Sequence, residues 1–411
     1  MLYEFSVRNY GPFREKATLN LQCTKNGEHP DNVIRNRKHG DILSSGLIFG
    51  PNASGKSYLL EGIGALQRIL GSVNANRDSL CWYEPFRLSE ETLSQPTEFS
   101  ICLTAGEELY RYTVAFTSSS IVAESLQRIG RHDIDIFGRE DGTFFLSECK
   151  DVTGFTSPTS AYLKVAASYN DEVCNRVLDA ILNIRFVRGD SLGDSVYESY
   201  EYLKNHPSAM EVAMDALNTA DFHISAMRGV KHEVPMKWPY EDRSGSGHPM
   251  EYVFTRIGTE LFLTHDYRST PEQLREFPLS IESNGTRNML GIIGPVAEAL
   301  TEGGVLVIDE FGSCLHPMLT RWIIKLFAAD YNVKGAQLIV NTHDLGLMDI
   351  QTLVRRDQIY FVNKDWETGA SELYSLSDFN GVRKDTRVLD AYLLGRFDAV
   401  PNMISPRGRI S

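Results

Sequence analysis

Apolar and polar positions change period several times along the 411 residues, and the changes predict the order of elements. Residues 1–50 read as strands and turns: Leu2, Phe5 and Val7, then Ala17, Leu19 and Leu21, then the run Gly46-Leu-Ile-Phe49. That last strand is of the buried type. It runs directly into Gly50-Pro-Asn-Ala-Ser-Gly-Lys-Ser57, and then into Tyr58–Leu70, whose apolar residues recur at helical spacing. From about 80 to 126 alternation returns in Phe99–Leu103 and Leu109–Phe116, around a turn at Gly106-Glu-Glu, and predicts an antiparallel layer. Residues 160–220 are helix-like over Ala161–Ala167, Val173–Leu182 and Ala209–Leu217, with Pro207 and Gly189 or Gly193 as punctuation. Residues 240–249 have the composition of a surface loop.

From 250 onward the pattern is strands, helix, strand, helix, strand: Glu251–Thr255, Leu261–His265, Gly285–Leu300, Val305–Ile308, Met318–Phe327 and Gln337–Asn341. An α/β fold follows, with a mixed central sheet, an antiparallel β layer and a helical insertion. Three segments are expected: an N-terminal lobe over 1–126, a mostly helical insertion over 127–250 and a C-terminal lobe over 251–411. No internal repeat or heptad pattern predicts a coiled coil.

Composition narrows the class. Lys and Arg number 41 against 54 Asp and Glu, a net charge of −13, and 42% of residues are hydrophobic. No stretch of about 18 apolar residues is present, which excludes a transmembrane helix. The N-terminus, Met1-Leu-Tyr-Glu-Phe-Ser-Val-Arg8, lacks the basic region and apolar stretch of a secretory signal, so a cytoplasmic location is expected. Cys23, Cys81, Cys102, Cys149, Cys174 and Cys314 contain no Cys-x-x-Cys pair, against a zinc cluster or a disulfide framework. The acidic balance argues against coating nucleic acid through global charge and leaves room for a local basic groove.

Four stretches carry chemistry. Gly50, Pro51, Asn52, Ala53, Ser54, Gly55, Lys56 and Ser57 match the phosphate-binding P-loop, placed between a strand and a helix as that motif requires. Gly50 and Gly55 let the backbone curl so that amides face phosphate, and the helix N-terminus adds its positive end. Lys56 would reach the β- and γ-phosphates of ATP, and the Ser57 hydroxyl would ligate Mg2+. Val305-Leu-Val-Ile-Asp-Glu310 is a buried-type strand ending in two carboxylates: Asp309 to hold Mg2+ and Glu310 to polarise the attacking water. Gln337-Leu-Ile-Val-Asn-Thr-His-Asp344 is another such strand, and His343 at its end would meet the γ-phosphate, because parallel strands present their C-terminal ends together. Ile281-Glu-Ser-Asn-Gly-Thr-Arg-Asn288 opens a helix and reads either as an anion cap through Ser283 and Gly285 or as a plain N-cap. His316 could cap the helix after Pro317, and Gln95 reads as a solvated loop residue.

P-loop, Ser-x-Gly-Thr helix start, Asp-Glu strand and Thr-His-Asp strand occur here in the order of ABC-type ATPase heads, including the structural-maintenance-of-chromosomes (SMC) and overcoming-lysogenization-defect families. More closely, Phe5–Phe13, Glu282–Arg287, Asp309–Pro317, Arg356–Val362, Ser371–Phe379 and Tyr392–Phe397 resemble the bacterial AAA/ABC-type ATPases of phage defence and abortive infection. The resemblance implies a homodimer or higher homo-oligomer, with ATP held between the P-loop of one subunit and Ser283 and Gly285 of the other. It also implies a switch that controls an effector protein, a nuclease or toxin encoded nearby. An adenine-facing role for Arg8, Asn9 or Arg14 is implied in the same way. The alternatives are an SMC-like DNA-binding ATPase of DNA repair, with Arg185, Arg188, Lys204, Arg228, Lys231 and Lys237 as a basic face, and a nuclease-coupled head. The 68 residues after His343 lack the acidic pattern of such a nuclease.

Overall fold

The computed structural model describes residues 1–71, 80–189, 192, 195–219, 222–240, 250–266, 275–313 and 315–400. The chain divides into two compact units, Met1–Asp190 with Ala299–Ser411, and Ser191–Glu298. The loop expected at 240–249 falls almost wholly outside the described residues.

The larger unit begins with β1 (Leu2–Arg8), β2 (Ala17–Asn20), the short β3 (Val33–Ile34) and β4 (Ile42–Leu43), β5 (Ser45–Phe49) and helix α1 (Lys56–Gly71). A run of strands follows: β6 (Thr97–Ala105), β7 (Glu108–Phe116), β8 (Ile121–Ile129), β9 (Ile134–Glu140) and β10 (Thr143–Leu146). Then come α2 (Tyr162–Ser168), α3 (Glu172–Leu182) and β11 (Arg185–Arg188). The smaller unit holds α4 (Val196–Asn205), α5 (Pro207–Thr219), β12 (Ile224–Tyr240), β13 (Met250–His265), β14 (Glu276–Pro278) and most of α6 (Asn284–Glu302). The chain returns to the larger unit through β15 (Val305–Phe311), α7 (Pro317–Leu326), β16 (Gln337–Thr342), β17 (Ile359–Lys364), β18 (Ser371–Ser375) and α8 (Val388–Leu393).

Two sheets form the larger unit. One is antiparallel, in the order β10-β9-β8-β7-β6-β1-β2. The other runs β11-β15-β16-β5-β17-β18 and is parallel up to its last strand, which is antiparallel. The sequence explains the difference. β5 and β16 are buried at every residue, as parallel strands covered on both faces must be, whereas β7 and β8 alternate buried and partly exposed positions. Helix α1 joins the sheets into one core: Leu59, Leu60, Ile63 and Leu66 share a cluster with Phe5, Val7 and Phe99 of the antiparallel sheet and with Ile48, Val307 and Ile339 of the parallel one. Gly62 permits this close approach, since a Cβ there would stand 3.0 Å from Val7.

Residues 127–250 are not mostly helical. Helices α2 to α5 form, yet β9, β10, β11 and the whole of β12 lie in the same stretch. In β12 the charged Lys231-His-Glu233 and the prolines Pro235 and Pro239 hide the strand pattern from a periodicity reading. β12 and β13 pair from Ile224↔His265 to Tyr240↔Met250, a ribbon roughly 50 Å long at about 3.4 Å per residue. Among the described residues β14 pairs with residues 262–264 of β13.

Candidate functional site

The parallel sheet sets the site. β5 lies between β16 and β17, with β15 beyond β16, and all four run the same way. Their carboxyl ends therefore bring the loop after Phe49, the Asp309-Glu310 pair, Asn341 to His343, and Lys364 to one edge. The P-loop takes its shape from left-handed backbone at Gly50 (φ 152°), Ala53 (φ 60°) and Gly55 (φ 108°). Gly50 tolerates no side chain, because a Cβ would stand 2.2 Å from the carbonyl oxygen of Val362 on β17.

Lys56 is buried, and its ammonium donates to the carbonyls of Gly50 and Pro51, each at 2.8 Å. Burial lowers its pKa to about 8, against the opposing pull of Asp309 and Glu310. Ser54 Oγ is buried with no hydrogen-bond partner among the described residues.

A β-bulge orders the carboxylates. Val305 to Ile308 pair with Gln337 to Val340, and pairing resumes at Phe311↔Thr342, so Asp309 and Glu310 together face Asn341. Glu310 takes up the extra residue in left-handed backbone (φ 59°). Such a bulge re-aims the side chain. Asp309 stays buried while Glu310 is exposed in the cleft.

Asn341, itself buried, is the hub. Its Nδ2 donates to Asp309 Oδ1 and, at 3.4 Å, to Ser57 Oγ, and its Oδ1 accepts the amide of Glu310. On the far side of β15, Gly189 follows β11. A Cβ there would meet the Glu310 carbonyl oxygen at 2.3 Å, so glycine lets the chain pass the bulge.

These groups wall a cleft of about 1080 Å³. Asn52 to Ser57, Glu310, Asn341 and His343 line it, with Lys364 and Gly369, and so do Gly11, Pro12, Tyr58 and Glu84 to Leu88. Burial and the nearby Lys56 lower the pKa of His343, opposed by Glu310, which favours a neutral imidazole.

Other sequence candidates fall elsewhere. Arg8, Asn9 and Arg14 do not line the cleft. Asn9 is buried and holds the 84–96 segment, donating to the carbonyls of Thr92 and Gln95 at 2.9 and 3.0 Å and accepting the amide of Phe86 at 2.9 Å. Gln95 itself is exposed outside the cleft. His316 caps α7, its Nδ1 accepting the amide of Met318 at 3.2 Å. Ser283 and Gly285 belong to the smaller unit, where Ser283 Oγ accepts the amide of Thr286 at 3.1 Å and so caps α6. Of the basic residues, Arg188 pairs with Glu61, and Arg228 pairs with Glu276 through two hydrogen bonds.

Sequence reasoning missed Asn341, Gly189 and Lys364. Asn341 carried a signal, an amide at the end of an apolar run directly before Thr-His; the other two carried none.

The side chains present fit a nucleotide with a cation. The Ser57 hydroxyl and the Asp309 carboxylate, both joined to Asn341, are hard oxygen donors of the kind Mg2+ takes, with phosphates and water completing its shell. Among the described residues no group of three or more His, Cys, Asp or Glu side chains is gathered as a separate metal cluster. The unpartnered Ser54 hydroxyl and the curled amides suit a phosphate.

Residues 47–349 match the family described as "AAA domain, putative AbiEii toxin, Type IV TA system". The chain belongs to this family. The matched stretch contains the P-loop, the Asp309-Glu310 strand and the Asn341–His343 strand end, and it stops before β17, β18 and α8. No curated protein matches the sequence. Similar solved structures include the SMC head domain from Thermotoga maritima, at 15% identity and a TM-score of 0.43, covering 91% of this chain and 98% of that one. An Smc head bound to the C-winged helix domain of ScpA is similar at 11% identity and a TM-score of 0.48, covering 91% and 97%. So is an Smc head with an extended coiled coil bound to the C-terminal domain of ScpA, derived from Pyrococcus furiosus, at 11% and 0.45, covering 91% and 96%. Among the described residues no helix is long and apolar enough to cross a membrane.

Proposed function

We propose that this AAA-domain protein binds ATP in the cleft and hydrolyses it. One observation carries the reading: a single buried side chain, Asn341, links the P-loop hydroxyl of Ser57, the Asp309 carboxylate and the backbone of Glu310. On binding, Lys56 exchanges the carbonyls of Gly50 and Pro51 for phosphate oxygens. Ser57 and Asp309 would hold Mg2+, which when bound would neutralise phosphate charge as the leaving group departs. Glu310, aimed into the cleft by the bulge, accepts a proton from the attacking water. His343, neutral, donates a hydrogen bond to the γ-phosphate as charge builds on it. Water oxygen bonds to phosphorus, the bond to the ADP oxygen breaks, and phosphate and ADP leave.

We further infer that ATP joins two copies through Ser283 and Gly285 of the opposite copy, that hydrolysis separates them, and that this cycle switches an effector in antiviral defence. The family description, which names a toxin of a type IV toxin–antitoxin system, supports a toxin-like partner. The arginine pairings with Glu61 and Glu276 give no support to a DNA-binding face.

The test is phosphate release by the purified chain. Wild type is expected to hydrolyse ATP with Mg2+. Lys56→Ala should abolish binding, and Glu310→Gln should bind ATP while turning over about 10²- to 10⁴-fold more slowly. No nucleotide-dependent activity from wild type overturns the reading. Affinity capture from native cells then separates a co-purifying effector from salt-sensitive duplex DNA.

A further inference from the structure

We propose that Lys364 is a second lysine of the nucleotide site, binding the terminal phosphate of ATP from the side of the P-loop opposite His343. The inference rests on the ATP reading above and lies outside the stretch matched by the family.

Position makes the case. β5 delivers the P-loop, β16 flanks it on one side and ends at His343, and β17 flanks it on the other and ends at Lys364. Lys364, His343 and Asn52 all line the nucleotide cleft, and all three also line a second depression that opens over Gly50 to Asn52. Lys364 thus faces the depression over Gly50 to Asn52 from one flank of the P-loop while His343 faces it from the other, so a γ-phosphate projecting there would lie between them.

The backbone that carries Lys364 is fixed to the P-loop itself. Lys364 pairs across the ladder with Ser371. Ser371 is buried, its hydroxyl donates to the Ser54 carbonyl at 2.6 Å, and its amide donates to the Pro12 carbonyl at 2.8 Å. The turn between the strands is closed by Asp365, which accepts from the amide and the hydroxyl of Thr368, and by the Gly369 amide donating to the Asp365 carbonyl at 2.9 Å.

The side chain itself is free. Lys364 is exposed, and among the described residues its ammonium makes no hydrogen bond or ion pair. An uncommitted ammonium on a rigid strand end beside a phosphate loop is a ready partner for an anion, and a bound triphosphate offers more charge than Lys56 alone can balance. ADP, lacking the terminal phosphate, would not reach it.

The experiment is isothermal titration with Mg2+ and either the non-hydrolysable imido analogue of ATP or ADP. Lys364→Ala is expected to weaken the ATP analogue about tenfold and ADP less than about twofold. Lys364→Arg should restore most of the loss, and Lys364→Glu should deepen it. An unchanged melting temperature in Lys364→Ala would show that the fold is kept. Equal weakening of both nucleotides, or of neither, while wild type binds, overturns the role of Lys364 alone. Failure of wild type to bind either nucleotide overturns the ATP reading and this inference with it.

Discussion

At the scale of single residues, the site is held by polar side chains that each serve more than one element. Asn341 is one example and Asp349 another. Arg321 on α7 donates to Asp349 at 2.9 Å, and Asp349 also takes the amides of Gln351 and Thr352 and the Thr352 hydroxyl. This ties the helix that follows the Glu310 strand to the loop that follows His343. Burial by itself would raise the Asp349 pKa, but the Thr352 and Arg321 hydrogen bonds outweigh it and bring the value down from 3.8 to about 2. A carboxylate depressed in the folded state adds stability that is complete above its unfolded value and is lost as pH falls through its folded one. Asp349→Asn should therefore cost about 2 kcal/mol at pH 7 and the same at pH 5, with the gap closing only between pH 4 and 2. Urea unfolding of both proteins across that range checks it, and a gap already closing near pH 6 would contradict it. Such residues are poorly legible in sequence, since nothing local marks Asp349 as a hub. The P-loop is the opposite case: Gly50, Gly55 and Lys56 work through the backbone they sit in, so their spacing alone announces them.

At the scale of elements, legibility follows burial. β5, β15 and β16 are continuous apolar runs because both faces are covered, and sequence alone places their polar ends. What it does not place is the bulge, because Asp309 and Glu310 share one opposite residue only by virtue of the β15 to β16 register. The same holds for β11, whose pairing of Arg188 with Asp309 puts Gly189 against the Glu310 carbonyl. The contact is backbone on backbone, so an added methyl must push β11 and the bulge apart rather than turn a side chain aside. Gly189→Ala should lower the ATP turnover rate about tenfold or more while changing ATP affinity less than about threefold, since the P-loop is untouched. Gly138→Ala on β9, where an added Cβ meets nothing within 4 Å, is the matched control and should leave both values as in wild type. Steady-state kinetics with binding titrations read the two effects separately, and a normal turnover rate in Gly189→Ala would show that the bulge does not set the position of Glu310.

At the scale of the whole molecule, the chain is not three segments in a row. Residues 1–190 fold with 299–411, and 191–298 form their own unit between them. Local periodicity cannot show this, because β5 at residues 45–49 takes its neighbours from residues 337–342 and 359–364, a pairing decided by burial of the whole sheet. The division also bears on assembly. Ser283 stands in the unit that does not contain the P-loop, and within one chain its hydroxyl serves as the cap of α6. If a second copy supplies this segment to bound ATP, association must depend on the triphosphate. Sedimentation velocity of Glu310→Gln is then expected to shift with ATP and Mg2+ from one chain of 46.2 kDa to twice that mass, and not with ADP. Lys56→Ala should stay monomeric throughout. Ser283→Asp is the decisive variant, because aspartate caps a helix as well as serine does and so keeps α6, while its charge opposes a phosphate. Placed in the Glu310→Gln background, it should abolish the ATP-dependent dimer and leave each monomer's ATP affinity within about twofold. A dimer that survives Ser283→Asp would place the interface elsewhere on the protein.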